Sequence, residues 1–224
     1  MCFSPQADVA GGLLVTAIGV DSWRHVGRRR GGRMLAALPL LLGVHQLIEV
    51  VVWWGPQGRV SPQTGRTAMW LYLLIAFVIL PVYVPLAVLM LEPSRRRKLQ
   101  MVPFVVLGAV VAAVLLVAMI GGPVTVALRP WHLAYSIHVA AGGLVVGLYV
   151  VAICGALLFS GYRHVAMFGL ANLVAVALIA WVLIDGFASL WCGYAALSAA
   201  AIAFHMRYTH PDGDVPLQLR WRRT

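Results

Sequence analysis

G-V-H-Q-L-I-E-V-V-V-W-W, residues 43–54, is the stretch that decides how this chain folds. It is apolar enough to complete a membrane-spanning helix, yet Glu49 stands one helical turn after His45 and one turn before Trp53. A carboxyl in hydrocarbon is costly and defaults to a functional candidate. A structural alternative is a carboxyl bonded to His45 that ties the bundle together. Either way, the helix must sit in a bundle that shelters its polar side.

The rest of the chain agrees. Of 224 residues, 62% are hydrophobic and 11% charged. Apolar residues fall in blocks of about 20, the length that crosses a bilayer. The spacing predicts spans at about 5–22, 34–54, 68–91, 101–120, 133–159, 163–183 and 187–206. The expected fold is an all-α membrane protein, a seven-transmembrane-helix bundle over 1–206 with a basic tail at 207–224. Breakers fall between spans at Gly55-Pro56, Glu92-Pro93, Gly121-Gly122-Pro123 and Gly161. Pro81 and Pro85 are expected to kink the third span. Gly143 and Gly147 in the fifth and the Ala195–Ala201 run in the seventh read as sites of close helix approach. MCFSPQAD has no basic n-region, so no cleavable signal peptide is expected.

The net charge of +10 has a topological explanation. Arg24, Arg28, Arg29, Arg30 and Arg33 lie between the first two spans, and Arg95, Arg96, Arg97 and Lys98 between the third and fourth. Arg163 and the arginines of the tail fall on the same side. Positive-inside then sets the N-terminus outside and the C-terminus in the cytoplasm of a cell membrane, with the bilayer and not nucleic acid as the basic partner. Lys98, the sole lysine, is assigned to a loop, which argues against a retinal-type Schiff base. Cys2, Cys154 and Cys192 fit neither a disulfide framework nor a zinc motif. A Cys2–Cys192 bridge is left open, and Cys154 is expected in the core.

In that topology Asp21, Glu92, Asp212 and Asp214 belong to cytoplasmic loops or the tail, whereas Asp8, Glu49 and Asp185 lie toward the outer side on three helices. Trp53, Trp54, Trp70, Trp131, Trp181 and Trp191 share that half with Tyr72, Tyr135, Phe187 and Tyr194. An interfacial aromatic belt is one explanation; the lining of a cavity is the other. Acids among aromatic rings suit protonation of an alkene, in which rings stabilise a carbocation and a neutral carboxylic acid donates the proton. No D-D-x-x-D is present to hold a metal diphosphate, which suggests a substrate that has already lost its diphosphate, and a cyclase of that kind needs no metal or other cofactor. Asp185 is taken as the donor and Glu49 as its partner, with the reverse assignment open. His45, His138 and Asp8 join the aromatics as substrate-binding candidates.

H-Q-L-I-E-x-x-x-W (45–53) and I-D-G-F (184–187), with the seven spans, resemble the integral membrane terpene cyclases of fungal meroterpenoid and bacterial indole-terpenoid pathways. The resemblance implies acid-initiated cyclisation of a prenylated acceptor, such as a farnesylated indole cyclic dipeptide, with Glu49 and Asp185 as the two essential acids. The opening Met-Cys-Phe-Ser and G-x-x-Q-x-x-E (43–49) are also similar to an uncharacterised bacterial family of seven-helix membrane proteins. Two other classes are weighed. A metal-dependent membrane hydrolase would use His45 and Glu49, four residues apart on one helix face, with His132 or His138. A transporter or receptor would use the intramembrane acids as relays.

Overall fold

In the computed structural model, residues 4–26, 30–129, 132–182, 199–200 and 202–203 are described. They are mostly helical: α1 (Pro5–His25), α2 (Arg30–Trp54), α3 (Pro62–Leu74), α4 (Leu80–Leu91), α5 (Arg95–Gly121), α6 (Gly142–Leu158) and α7 (Arg163–Val182). A π-helical turn, Ile75–Ile79, joins α3 to α4, so Pro62–Leu91 is one continuous rod. The described residues therefore hold six helical rods. Three of them (Gly32–Trp54, Pro62–Leu91 and Arg95–Gly121) are long and apolar enough to cross a membrane. The expected seventh span, 187–206, lies outside the described residues except for short helical pieces, in which Ala199 and Ile202 pack into the core with Val15, Leu35 and Met101. The tail at 207–224 also lies outside them, as do residues 195–198 and 201 of the small-residue run.

The fifth span departs from expectation. Two antiparallel strands stand there, β1 (Val124–Leu128) against β2 (Leu133–Ile137), paired as a hairpin, and the helix begins only at Gly142. VTVAL is rich in β-branched residues, which suit a pleated ladder. LAYSI is apolar enough for a helix, but Leu133, Tyr135 and Ile137 alternate with Ala134 and Ser136 at the period of a strand. The hairpin packs across one end of the bundle: Leu133 is buried with Val52, Trp53, Met69, Tyr72 and Met119. The opposite end carries Arg24, Arg33, Arg95, Arg96, Arg97 and Arg163.

Helix starts follow their caps. Ser4, Ser61 and Ser94 each accept a backbone N–H three residues on, at Ala7, Thr64 and Arg97. Lys98 consequently sits in the first turn of α5 and not in a loop. Asp21 is likewise in the last part of α1, bonded to His25 at 3.5 Å.

Backbone approach is tight between α1 and α2, which run antiparallel. A Cβ on Gly19 would lie 2.7 Å from the Leu40 nitrogen, and one on Gly12 2.9 Å from the Leu47 side chain; Gly43 abuts Thr16. Gly143 and Gly147 do not act this way among the described residues, where a Cβ on either meets nothing within 4 Å. Close approach elsewhere falls on Gly108, against the Pro81 carbonyl, and on Gly155, against Phe104.

The π turn follows from Pro81. Leu80 N–H bonds the Ile75 carbonyl, five residues back. The same pattern would join residue 81 to Ala76, but proline has no N–H to donate. Tyr149 of α6 supplies the missing donor, its hydroxyl lying 2.8 Å from the Ala76 carbonyl. A backbone break in an apolar rod is thus closed by a neighbouring helix.

Gly108→Ala is expected to lower the thermal transition in detergent, by about 1–3 kcal/mol of overpacking. Gly147→Ala, which enters open space, is expected not to lower it. Differential scanning fluorimetry on both variants checks the contrast.

Candidate functional site

Glu49 is fully buried, and the Tyr135 hydroxyl donates to its Oε1 at 3.3 Å. Tyr135 reaches it from β2, so the hairpin is what brings this polar partner over α2. One turn further along α2, the Trp53 indole N–H donates to Asp8 Oδ2 at 2.9 Å. Asp8 is 1% exposed and Gln46 2% exposed, and Gln46 packs on Gly11, one turn beyond Asp8. Asp8, Gln46, Glu49 and Trp53 thus occupy the α1–α2 seam. Close glycine packing makes that seam possible.

His45 does something other than tie down Glu49. Its Nε2 lies 3.1 Å from the Tyr72 carbonyl, and its ring stacks on Tyr72 with centroids 4.0 Å apart and planes 13° apart. Tyr72 in turn stacks on Tyr135 at 4.9 Å and 13°. His45, Tyr72 and Tyr135 therefore form a short column from three elements.

That column is one wall of a cavity of about 330 Å³. Phe77, Leu80, Leu115, Val145, Tyr149, Ile153 and Cys154 complete most of the rest, with Ile137 and Val139 from the hairpin side and Val176 from α7. The lining is mainly aliphatic and aromatic, the usual character of a small-molecule site. Glu49, Asp8 and Trp53 stand behind the wall and not in it. Tyr135 connects the two layers: it lines the cavity and bonds Glu49.

A family model described as a family of unknown function, DUF6629, matches residues 1–214. The chain belongs to that family. Neither a curated protein nor a solved structure matches this DUF6629 chain.

The expected site residues divide as follows. His45, Tyr72 and Tyr135 line the cavity. Trp53 is buried on Asp8, while Trp54 and Trp70 are half-buried away from the cavity. His138, placed by the sequence in a fifth helix, follows β2 as an exposed residue, because the helix starts later. Trp131, Asp185, Trp191 and Tyr194, along with Cys2, Phe187 and Cys192, lie outside the described residues; for Trp181 only its place in α7 is described. Among the described residues no three His, Cys, Asp or Glu side chains are grouped to hold a metal ion.

Two features escaped the sequence. Tyr149 was one, although a single tyrosine in the otherwise apolar α6, on a chain with Pro81, was a usable signal. Glu92 was the other. Assigned to a cytoplasmic loop, it is 1% exposed, and its Oε1 accepts from Ser160 Oγ at 2.9 Å and from the Gly161 N–H at 2.7 Å. It clamps the α6–α7 turn to the end of α4, and a Cβ on Gly161 would lie 2.7 Å from its Oε2.

Trp53→Phe keeps the ring and removes the indole N–H from Asp8. The expected loss is about 1–3 kcal/mol of stability, read as a lowered thermal transition. An unchanged transition would mean that the bond contributes nothing.

Proposed function

We propose that this chain is an integral membrane enzyme that draws a prenyl chain into the cavity and starts its cyclisation by protonating an alkene. The topology of the proposal is seven spans in a cell membrane, with the N-terminus outside and the C-terminus in the cytoplasm. The observation that carries the chemistry is the position of Tyr135, which lines the cavity while its hydroxyl bonds Glu49 behind the wall.

The supporting physics has three parts. The cavity walls are apolar, so a hydrocarbon chain gains by entering and water is kept from quenching a cation. The faces of Tyr72, Tyr135, Phe77 and Tyr149 supply π electrons for a cationic intermediate. Glu49 has no exposure to solvent, and a carboxylic acid held neutral in such a place is a proton donor.

In the proposed reaction the hydrogen bond first turns round: protonated Glu49 donates to the Tyr135 oxygen and the Tyr135 O–H swings toward the cavity, where the alkene π pair takes its proton as Tyr135 takes the Glu49 proton. The new C–H bond leaves a tertiary carbocation and a Glu49 carboxylate. A second alkene of the chain attacks the cation and closes the ring. The last cation loses a proton, which returns to Glu49 through Tyr135, so substrate and product are isomers. Asp185 is the second acid of the proposal.

Glu49→Gln and Tyr135→Phe are each expected to cut cyclisation of a farnesylated indole substrate by at least about a hundredfold, with insertion and purification unchanged. In heavy water the wild-type product should gain deuterium at the protonated carbon. Turnover retained in both variants, or an unlabelled product, would remove the mechanism.

A further inference from the structure

The cavity carries few polar groups, and most of their hydrogens are already used. Tyr149 gives its hydroxyl proton to the Ala76 carbonyl at 2.8 Å, and Tyr135 gives its own to Glu49. Cys154, a buried free thiol, is only a weak donor. Where Gly142 joins the lining, α6 starts without a side-chain cap after Ala141, whose φ of 52° is left-handed, so N–H groups are on offer there, beside the exposed Gly143. Deeper in, around His45, the balance is different.

His45 is 4% exposed and lines the cavity. The partner of its Nε2 is a backbone carbonyl, which can only accept, so Nε2 carries the hydrogen. A neutral imidazole with its proton on Nε2 has a lone pair on Nδ1. Nδ1 makes no hydrogen bond among the described residues, and stacking on Tyr72 fixes the plane of the ring. The buried part of the wall therefore presents an acceptor that the protein leaves unfilled. An acceptor of that kind rewards an O–H or N–H and gives nothing to an ether, ketone or ester oxygen.

We infer that the cavity selects a ligand whose polar group is a hydrogen-bond donor on an apolar body, and that His45 Nδ1 accepts from it. The inference rests on the cavity being a ligand site and requires no cyclisation. It also orients the ligand. With its O–H or N–H on His45, an apolar chain lies along the Tyr72 ring toward Tyr135, the next ring of the stack.

The test is a matched pair: farnesol, and farnesyl methyl ether, which keeps the chain and oxygen but has no donor. Isothermal titration of the purified full-length protein, corrected for partition into empty micelles, is expected to give about tenfold tighter binding of farnesol. His45→Phe should bring farnesol to the level of the ether and leave the ether unchanged. Because that variant also loses the bond to Tyr72, a second measurement uses the wild-type chain with ¹⁵N-labelled histidine. There the unprotonated Nδ1 resonance should move on adding farnesol and stay put with the ether. Equal affinities, a tighter ether, discrimination kept by His45→Phe, or a static Nδ1 resonance would each overturn the inference and leave the cavity standing as a ligand site. Saturable binding of neither compound would overturn both.

Discussion

A buried carboxyl must be met by polar groups, and for Glu49 that requirement reaches across the fold. Its hydroxyl partner, Tyr135, comes from a hairpin more than eighty positions along the chain. Placing Tyr135 there sets the hairpin across the end of the bundle, where Leu133 seats it among Val52, Met69 and Met119. The same tyrosine stacks on Tyr72, which stacks on His45, so the wall of the cavity is assembled from the contacts that shelter the acid. Loss of that one interaction would take from the buried acid its hydroxyl donor on the hairpin and loosen the wall that the hairpin completes.

A second requirement, that backbone carbonyls in an apolar interior find donors, shapes the opposite wall. Pro81 withdraws an N–H from the π turn, and Tyr149 replaces it. Gly108 lets α5 come up against Pro81 on the other side. The turn also moves Ala76, Phe77 and Leu80 into the cavity lining. A local backbone irregularity thus contributes both to the shape of the cavity and to its stock of spent donors.

Much of this was legible in the sequence, for reasons that can be named. Apolar blocks and breakers place α1, α2, the Pro62–Leu91 rod, α5 and α7, with starts up to six residues late at Pro62 and Arg95 where the first turns are polar, because hydropathy reports on apolar length and not on capped polar turns. Glu49, His45, Tyr72 and Tyr135 stood out as polar or aromatic residues near one end of those blocks. What stayed hidden depends on contacts between distant segments. Strand pairing at 124–137 needs a partner that local hydropathy does not reveal, and the expected Gly143/Gly147 contact failed because a glycine pair says nothing about which face is covered. Glu92 looked like a loop acid because its two donors, Ser160 and Gly161, lie nearly seventy positions away. The role of His45 turned on whether its neighbour was Glu49 or a backbone carbonyl, a distinction of geometry.

The central claim is that an apolar chain occupies the space beneath the hairpin, against Tyr135 and Tyr149. Photolabelling the protein in nanodiscs with a diazirine-bearing prenyl alcohol, followed by peptide mapping, tests it most directly. The account predicts adducts on Tyr135, Val145, Tyr149 or Ile153 that excess farnesol suppresses. Adducts confined to outward-facing residues such as Val117, Ile120 and Leu144, or adducts that farnesol does not suppress, would contradict it.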